Sequence, residues 1–118
     1  MRRGEIWTAA GGPDYAGKPR PVVIVQDDHY DATPSITICG LTSEHAHVPV
    51  VRFWIHPSPE NGLLSPSQLM ADKITTIPKT KLGRRIGRLG ESEIVLLNRA
   101  IAVFLGLAGS GAVDNVTA

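Results

Sequence analysis

Arg20-Pro21-Val22-Val23-Ile24-Val25-Gln26 decides how this chain folds. Four β-branched residues in succession pack well on a pleated surface and are stiff in a helix, so the run predicts a strand. Because the run is unbroken rather than alternating, it predicts a central strand covered on both faces. Arg20 opens it between Pro19 and Pro21. A residue before proline is pushed into extended backbone, which fixes where its side chain leaves the strand.

Outward from that strand the chain reads as further short strands. Upstream, Arg3 to Ala9 predicts a first strand, and Gly11, Gly12, Pro13, Asp14 and Gly17 predict a mobile loop. Downstream, Asp27 to Pro34 is a polar loop, and Ser35 to Leu41 has the alternation of a third strand with Thr42 and Ser43 at its end. Val48 to Ile55 predicts a fourth strand, with Pro49 placing its start at an edge. Pro57, Pro59, Asn61 and Gly62 mark a loop, Ser67 to Ile77 reads as one longer fifth strand stopped by Pro78, and Gly83 to Leu89 as another short one. Only the end is helical: Ile94, Leu97, Ile101 and Leu105 recur at helical spacing behind Glu91 and Glu93, and Gly106 is the stop. Many short strands and one terminal helix predict a mainly β domain with α, a small, strongly bent barrel carrying a helix.

A length of 118 residues predicts one domain, assigned to residues 1–107, with 108–118 as a flexible tail. No apolar stretch reaches the roughly 20 residues needed to span a bilayer. The N-terminus lacks the pattern of an export signal, so a cytoplasmic location with no membrane association is expected. The single cysteine, Cys39, sits in an apolar stretch and is assigned to the core. A net charge of +1 offers no overall attraction to nucleic acid, so any RNA contact must be local. Lys79, Lys81, Arg84, Arg85 and Arg88 form the one basic segment, readable as a solvated face or as a patch for phosphate or an acidic partner.

Four pieces in order, Arg3-Gly4-Glu5-Ile6-Trp7, Gly17 to Gln26, Leu41-Thr42-Ser43, and Leu82-Gly83-Arg84-Arg85-Ile86-Gly87-Arg88-Leu89, resemble the MazF/PemK toxins. The resemblance spans residues 2 to 107 and implies a small SH3-like barrel of the CcdB/MazF type. It also implies a homodimer that cleaves single-stranded RNA and is held inactive by a cognate antitoxin. It places the active site at Arg20 and Thr42. Some relatives add an arginine and an aspartate from the fifth strand; the aspartate corresponds to Asp72, whereas Met70 stands where those relatives carry arginine.

These residues suit RNA cleavage without cofactor or metal. The ribose 2′-hydroxyl is an internal nucleophile, so the protein need only align it with the phosphate and stabilise developing charge. Arginine is a permanently charged fork of donors matched to phosphate, the role assigned to Arg20, against the plain alternative of a solvated strand end. Thr42 can donate to a phosphate oxygen but is a poor base, so it is assigned to positioning. Ser43, Asp72, His29, Ser67 and Gln68 are further candidates for RNA contact or acid/base work, His29 with Tyr30 as a base-stacking step. His29, His45, His47 and His56 keep a two-imidazole mechanism open, while Glu44, His45 and His47 supply too few defined ligands for a metal site. Trp7 and Trp54 are assigned to core or interface, and the apolar surplus of the terminal helix to a dimer contact.

Two readings compete with the nuclease. One is a non-enzymatic gyrase poison resembling CcdB, which depends on a tryptophan-containing C-terminus where this chain ends Asp114-Asn115-Val116-Thr117-Ala118. The other is a catalytically silent barrel that binds RNA or peptide.

Overall fold

The β-branched run is a strand with both faces covered. In the computed structural model, which describes residues 1–10 and 18–109, the elements are β1 (Glu5–Ala9), β2 (Arg20–Ile24), β3 (Ser35–Thr42), β4 (Arg52–Ile55), β5 (Ser67–Met70), β6 (Thr75–Pro78), β7 (Leu82–Arg88) and α1 (Glu91–Phe104). The loop expected over Gly11–Gly17 and nearly all of the expected tail lie outside the described residues. All strand pairings are antiparallel, in the order β4-β5-β3-β2-β1-β7, with β6 also on β3. The sheet is bent rather than strictly closed.

Alternation along β2 and β3 sends side chains into two apolar layers. Val23, Cys39 and Leu41 join Ile6, Ile55 and Leu69 in the larger core, which α1 covers with Leu97 and Ala100. Val22, Ile24, Ile36 and Ile38 point the other way with Ala9, packed by Trp7, Ile77 and Leu82. Burial pushes the Cys39 thiol up to about 12. An aromatic disulfide reagent at pH 8 is therefore expected to leave native protein unlabelled and to titrate one thiol only after denaturation.

The expected fifth strand, Ser67–Ile77, is two strands. A 3-10 turn at Ala71–Lys73 divides it, and β5 and β6 pair successive stretches of β3. The break follows from packing: Ala71 is fully buried and its N–H donates to Val51 O at 3.0 Å, which draws the chain away from a straight ladder. The expected fourth strand is likewise shorter, because Val48–Val51 is a turn in which Val51 N–H donates to Pro49 O and Val50 has φ 67. That left-handed conformation is strained for a β-branched residue.

The helix begins where Gly90 N–H donates to the Glu93 carboxylate at 2.8 Å and ends before Gly106, whose φ is +77. It keeps Val95, Leu96, Phe104 and Leu105 exposed, an apolar surface that the sheet does not cover. Trp7 packs on the smaller core as expected. Trp54 does not belong to a core; it is 37% exposed and its ring stacks on His45.

Candidate active site

The face of the sheet opposite α1 carries a cleft that gathers the leading candidates. Directly opposed residues of antiparallel strands project to the same side. Val22 is opposite Gly40, and two residues further along each strand stand Arg20 and Thr42. Thr42 is opposite Gln68, which is opposite Trp54, and Met70 is opposite Arg52. Arg20, Thr42, Arg52, Met70, Gly40 and Val22 therefore share one face, and all line a cleft of about 780 Å³.

Arg20 is exposed at the cleft. Thr42 is half-buried, and its hydroxyl oxygen accepts from Glu44 N–H at 3.1 Å. That bond occupies a lone pair and leaves the hydroxyl proton able to donate. Ser43 and Asp72 line the same cleft, as do Glu44 and Lys73.

Asp72 binds Arg52 through both oxygens: Arg52 Nε and Nη2 reach Oδ1 and Oδ2 at 2.9 Å each. The hydrogen bonds from Arg52 hold the Asp72 carboxyl below the usual carboxylate range against the opposing effect of burial. Asp72 thus meets the cleft as a carboxylate whose two oxygens are engaged by Arg52.

Three sequence candidates do not line the cleft. Ser67 and Gln68 are buried, and their side chains hold the backbone. Ser67 Oγ donates to Ser65 O, and the Gln68 amide both accepts from Ala46 N–H at 3.1 Å and donates to Ala46 O at 2.9 Å. Gln68 thereby clamps the loop after Thr42. His29 lies in a 3-10 turn beyond the far end of β2 from Arg20, its ring edge-on to Tyr30, and is absent from the cleft. His45, His47 and His56 are exposed and do not line it either.

The basic segment is not in the cleft. Lys79 pairs with Asp31 at 3.2 Å, Arg85 with Glu5 at 3.0 Å and Arg88 with Glu60 at 3.1 Å, so much of it is a paired edge rather than a phosphate patch. Among the described residues, no three His, Cys, Asp or Glu side chains converge as metal ligands, and no helix is long and apolar enough to cross a membrane.

A family model described as the PemK-like, MazF-like toxin of type II toxin–antitoxin systems matches residues 2–105. The chain belongs to that toxin family. A relative called a probable endoribonuclease MazF, from Mycolicibacterium smegmatis, is 50% identical over 109 residues, covering 92% of this chain and 100% of the relative. Endoribonuclease MazF9 of Mycobacterium tuberculosis is 32% identical, over 91% of this chain and 98% of its own. Among solved structures, the Mycobacterium tuberculosis toxin MazF-mt6 superposes with a TM-score of 0.75 at 28% identity, covering 89% of this chain and 99% of that one. A mycobacterial endoribonuclease solved with its cognate antitoxin has the same fold, at TM-score 0.75 and 24% identity over 92% and 98% of the two chains.

In this toxin the residue the sequence reading missed is Arg52. Its signal was present, since Arg52 and Trp54 alternate with Phe53 and Ile55 and must face away from the larger core. Only the β4–β5 register and the 3-10 turn reveal that Arg52 meets Asp72.

Proposed function

We propose that this toxin is an endoribonuclease that cuts single-stranded RNA without a metal ion, by attack of a ribose 2′-hydroxyl on the adjacent phosphorus. The 2′-oxygen–phosphorus bond forms as the bond to the 5′-oxygen breaks. The nucleophile's proton passes to solvent, and a solvent proton goes to the leaving oxygen. The products are a 2′,3′-cyclic phosphate and a 5′-hydroxyl. The observation that carries this reading is the meeting of Arg20, Thr42 and Ser43 at one open cleft. Arg20 offers paired donors to the non-bridging oxygens, Thr42 adds a hydroxyl donor, and Ser43 extends the contact along the strand. The endoribonuclease names of relatives that cover nearly the whole chain support the same reading.

In this reading the toxin is a cytoplasmic homodimer inhibited by a cognate antitoxin, in keeping with the type II family it belongs to. The apolar residues left exposed on α1 and at its C-terminal cap support self-association, since a monomer would leave Val95, Leu96, Phe104 and Leu105 in water. Purified protein free of antitoxin is expected to cut single-stranded RNA in excess chelator. The new 5′ ends should accept label from a polynucleotide kinase without prior phosphatase treatment. Loss of cutting in chelator, or 5′-phosphate ends, sinks the mechanism.

A further inference from the structure

We propose that Arg52 is a second phosphate-binding guanidinium of this site and that Asp72 is the positioning residue that aims it. This rests on the ribonuclease reading and deepens it. Arg52 comes from β4, the edge strand, yet it shares a face and a cleft with Arg20 and Thr42. Its Nε and Nη2 are committed to Asp72, which leaves the two N–H groups of Nη1 outside that fork. The Arg52 side chain is only 14% exposed, so its long stem is already ordered and little freedom remains to be lost on binding a ligand.

The local structure is built to deliver this guanidinium. The strained turn at Val50 precedes it by two residues, and the 3-10 turn that interrupts β5 and β6 carries Asp72 to meet it. Strain of this kind persists where the surroundings over-determine it, commonly at functional sites. Between Arg52 and the Arg20 strand, the row Val22–Gly40–Met70–Arg52 offers only apolar side chains and a glycine. A Cβ at Gly40 would come within 3.1 Å of Met70 Cε, so the glycine keeps the floor between the two arginines low. Met70 thereby takes the place that some relatives give to arginine, and the charge arrives from the strand beside it.

Two guanidiniums on one phosphate act most strongly when charge is greatest, in the transition state. The test compares the unsubstituted protein with Arg20→Ala, Arg52→Ala, Arg52→Lys, Asp72→Asn and the Arg52→Ala/Asp72→Asn double variant. It measures kcat on an RNA oligonucleotide and binding of the same oligonucleotide with a 2′-deoxy residue at the cleavage site. Arg52→Ala is expected to lower kcat about 100-fold, the size of losing one oriented donor group. Binding of the deoxy analogue should weaken less than about 10-fold, because the ground state carries less charge. Arg52→Lys should restore part of kcat. Asp72→Asn should lower kcat about 10-fold, roughly one weakened hydrogen bond, and have no further effect once Arg52 is alanine.

Arg52→Ala with kcat within threefold of the parent overturns the proposal. An Asp72→Asn loss that persists undiminished in the double variant overturns the positioning role. If Arg52→Ala does not fold, Arg52→Lys decides: kcat unchanged although the fork geometry is altered counts against the proposal, and a loss in kcat at unchanged analogue binding supports it. If the unsubstituted protein does not cut RNA, the ribonuclease reading fails and this assignment falls with it. If cutting is lost in Arg20→Ala and retained in Arg52→Ala, only the Arg52 assignment fails.

Discussion

Arg20→Ala is expected to slow RNA cleavage by about 1,000-fold, the upper range for loss of one preorganised charge-stabilising group. The melting temperature should stay within about 2 °C of the parent, because an exposed strand-end side chain contributes little to stability. The size follows from chemistry: alanine removes a permanent charge and a pair of donors where negative charge accumulates. Arg20→Lys keeps the charge but not the fork, so it should recover only part of the rate. Thr42→Val makes the comparison. It removes a neutral donor and the acceptor for Glu44 N–H, and a loss of roughly 10-fold is expected, the worth of one neutral hydrogen bond. Single-turnover cleavage and thermal unfolding of the variants measure both effects. An Arg20→Ala protein that cuts at the parental rate removes the foundation of the proposed mechanism.

Gly87→Ala is expected to destabilise the fold by about 3 kcal/mol and to lower the melting temperature by roughly 10 °C. A Cβ at Gly87 would stand 2.3 Å from the carbonyl carbon and oxygen of Asn61 and 2.5 Å from Glu60 O. These are backbone atoms that cannot swing aside as a side chain would. They are also fixed from within: Asn61 is buried, and its side chain accepts from Ser58 and Leu63 N–H and donates to His56 O. The opposing Gly62 is equally tight, since a Cβ there would meet Ile86 O at 2.0 Å. Gly106→Ala is the control. Its Cβ would meet nothing within 4 Å, so only the left-handed backbone, about 1 kcal/mol, opposes it. Urea unfolding of the three proteins separates the effects, and a Gly87→Ala midpoint equal to the parent's shows that the loop can yield.

The ordering of elements was legible because it depends on local pattern. Val22 to Val25 could bury both faces only as a central strand, and the spacing of Ile94, Leu97 and Ile101 could form an apolar stripe only as a helix. The broken fifth strand was not legible. Ser67 to Ile77 lacks a glycine or proline to mark a bend, which instead arises from Ala71 packing against the core and bonding Val51. The burial of Ser67 and Gln68 was not legible for a related reason. A polar residue in a strand reads as exposed, and nothing in the sequence announced that Gln68 would be buried in clamping Ala46.

The sequence by itself determined the strand and helix order, because local periodicity writes it, and four motifs in order carried the resemblance to the MazF/PemK toxins, which named Arg20 and Thr42 as candidate site residues. Tertiary structure alone decided that His29 stands apart from the cleft, that Lys79, Arg85 and Arg88 of the basic segment are paired with acids, and that Arg52 and Asp72, 20 residues apart in the chain, close a fork in the cleft that Arg20 also lines. Register, the bend at Ala71 and burial bring those groups together or separate them, and all three are properties of packing between distant segments.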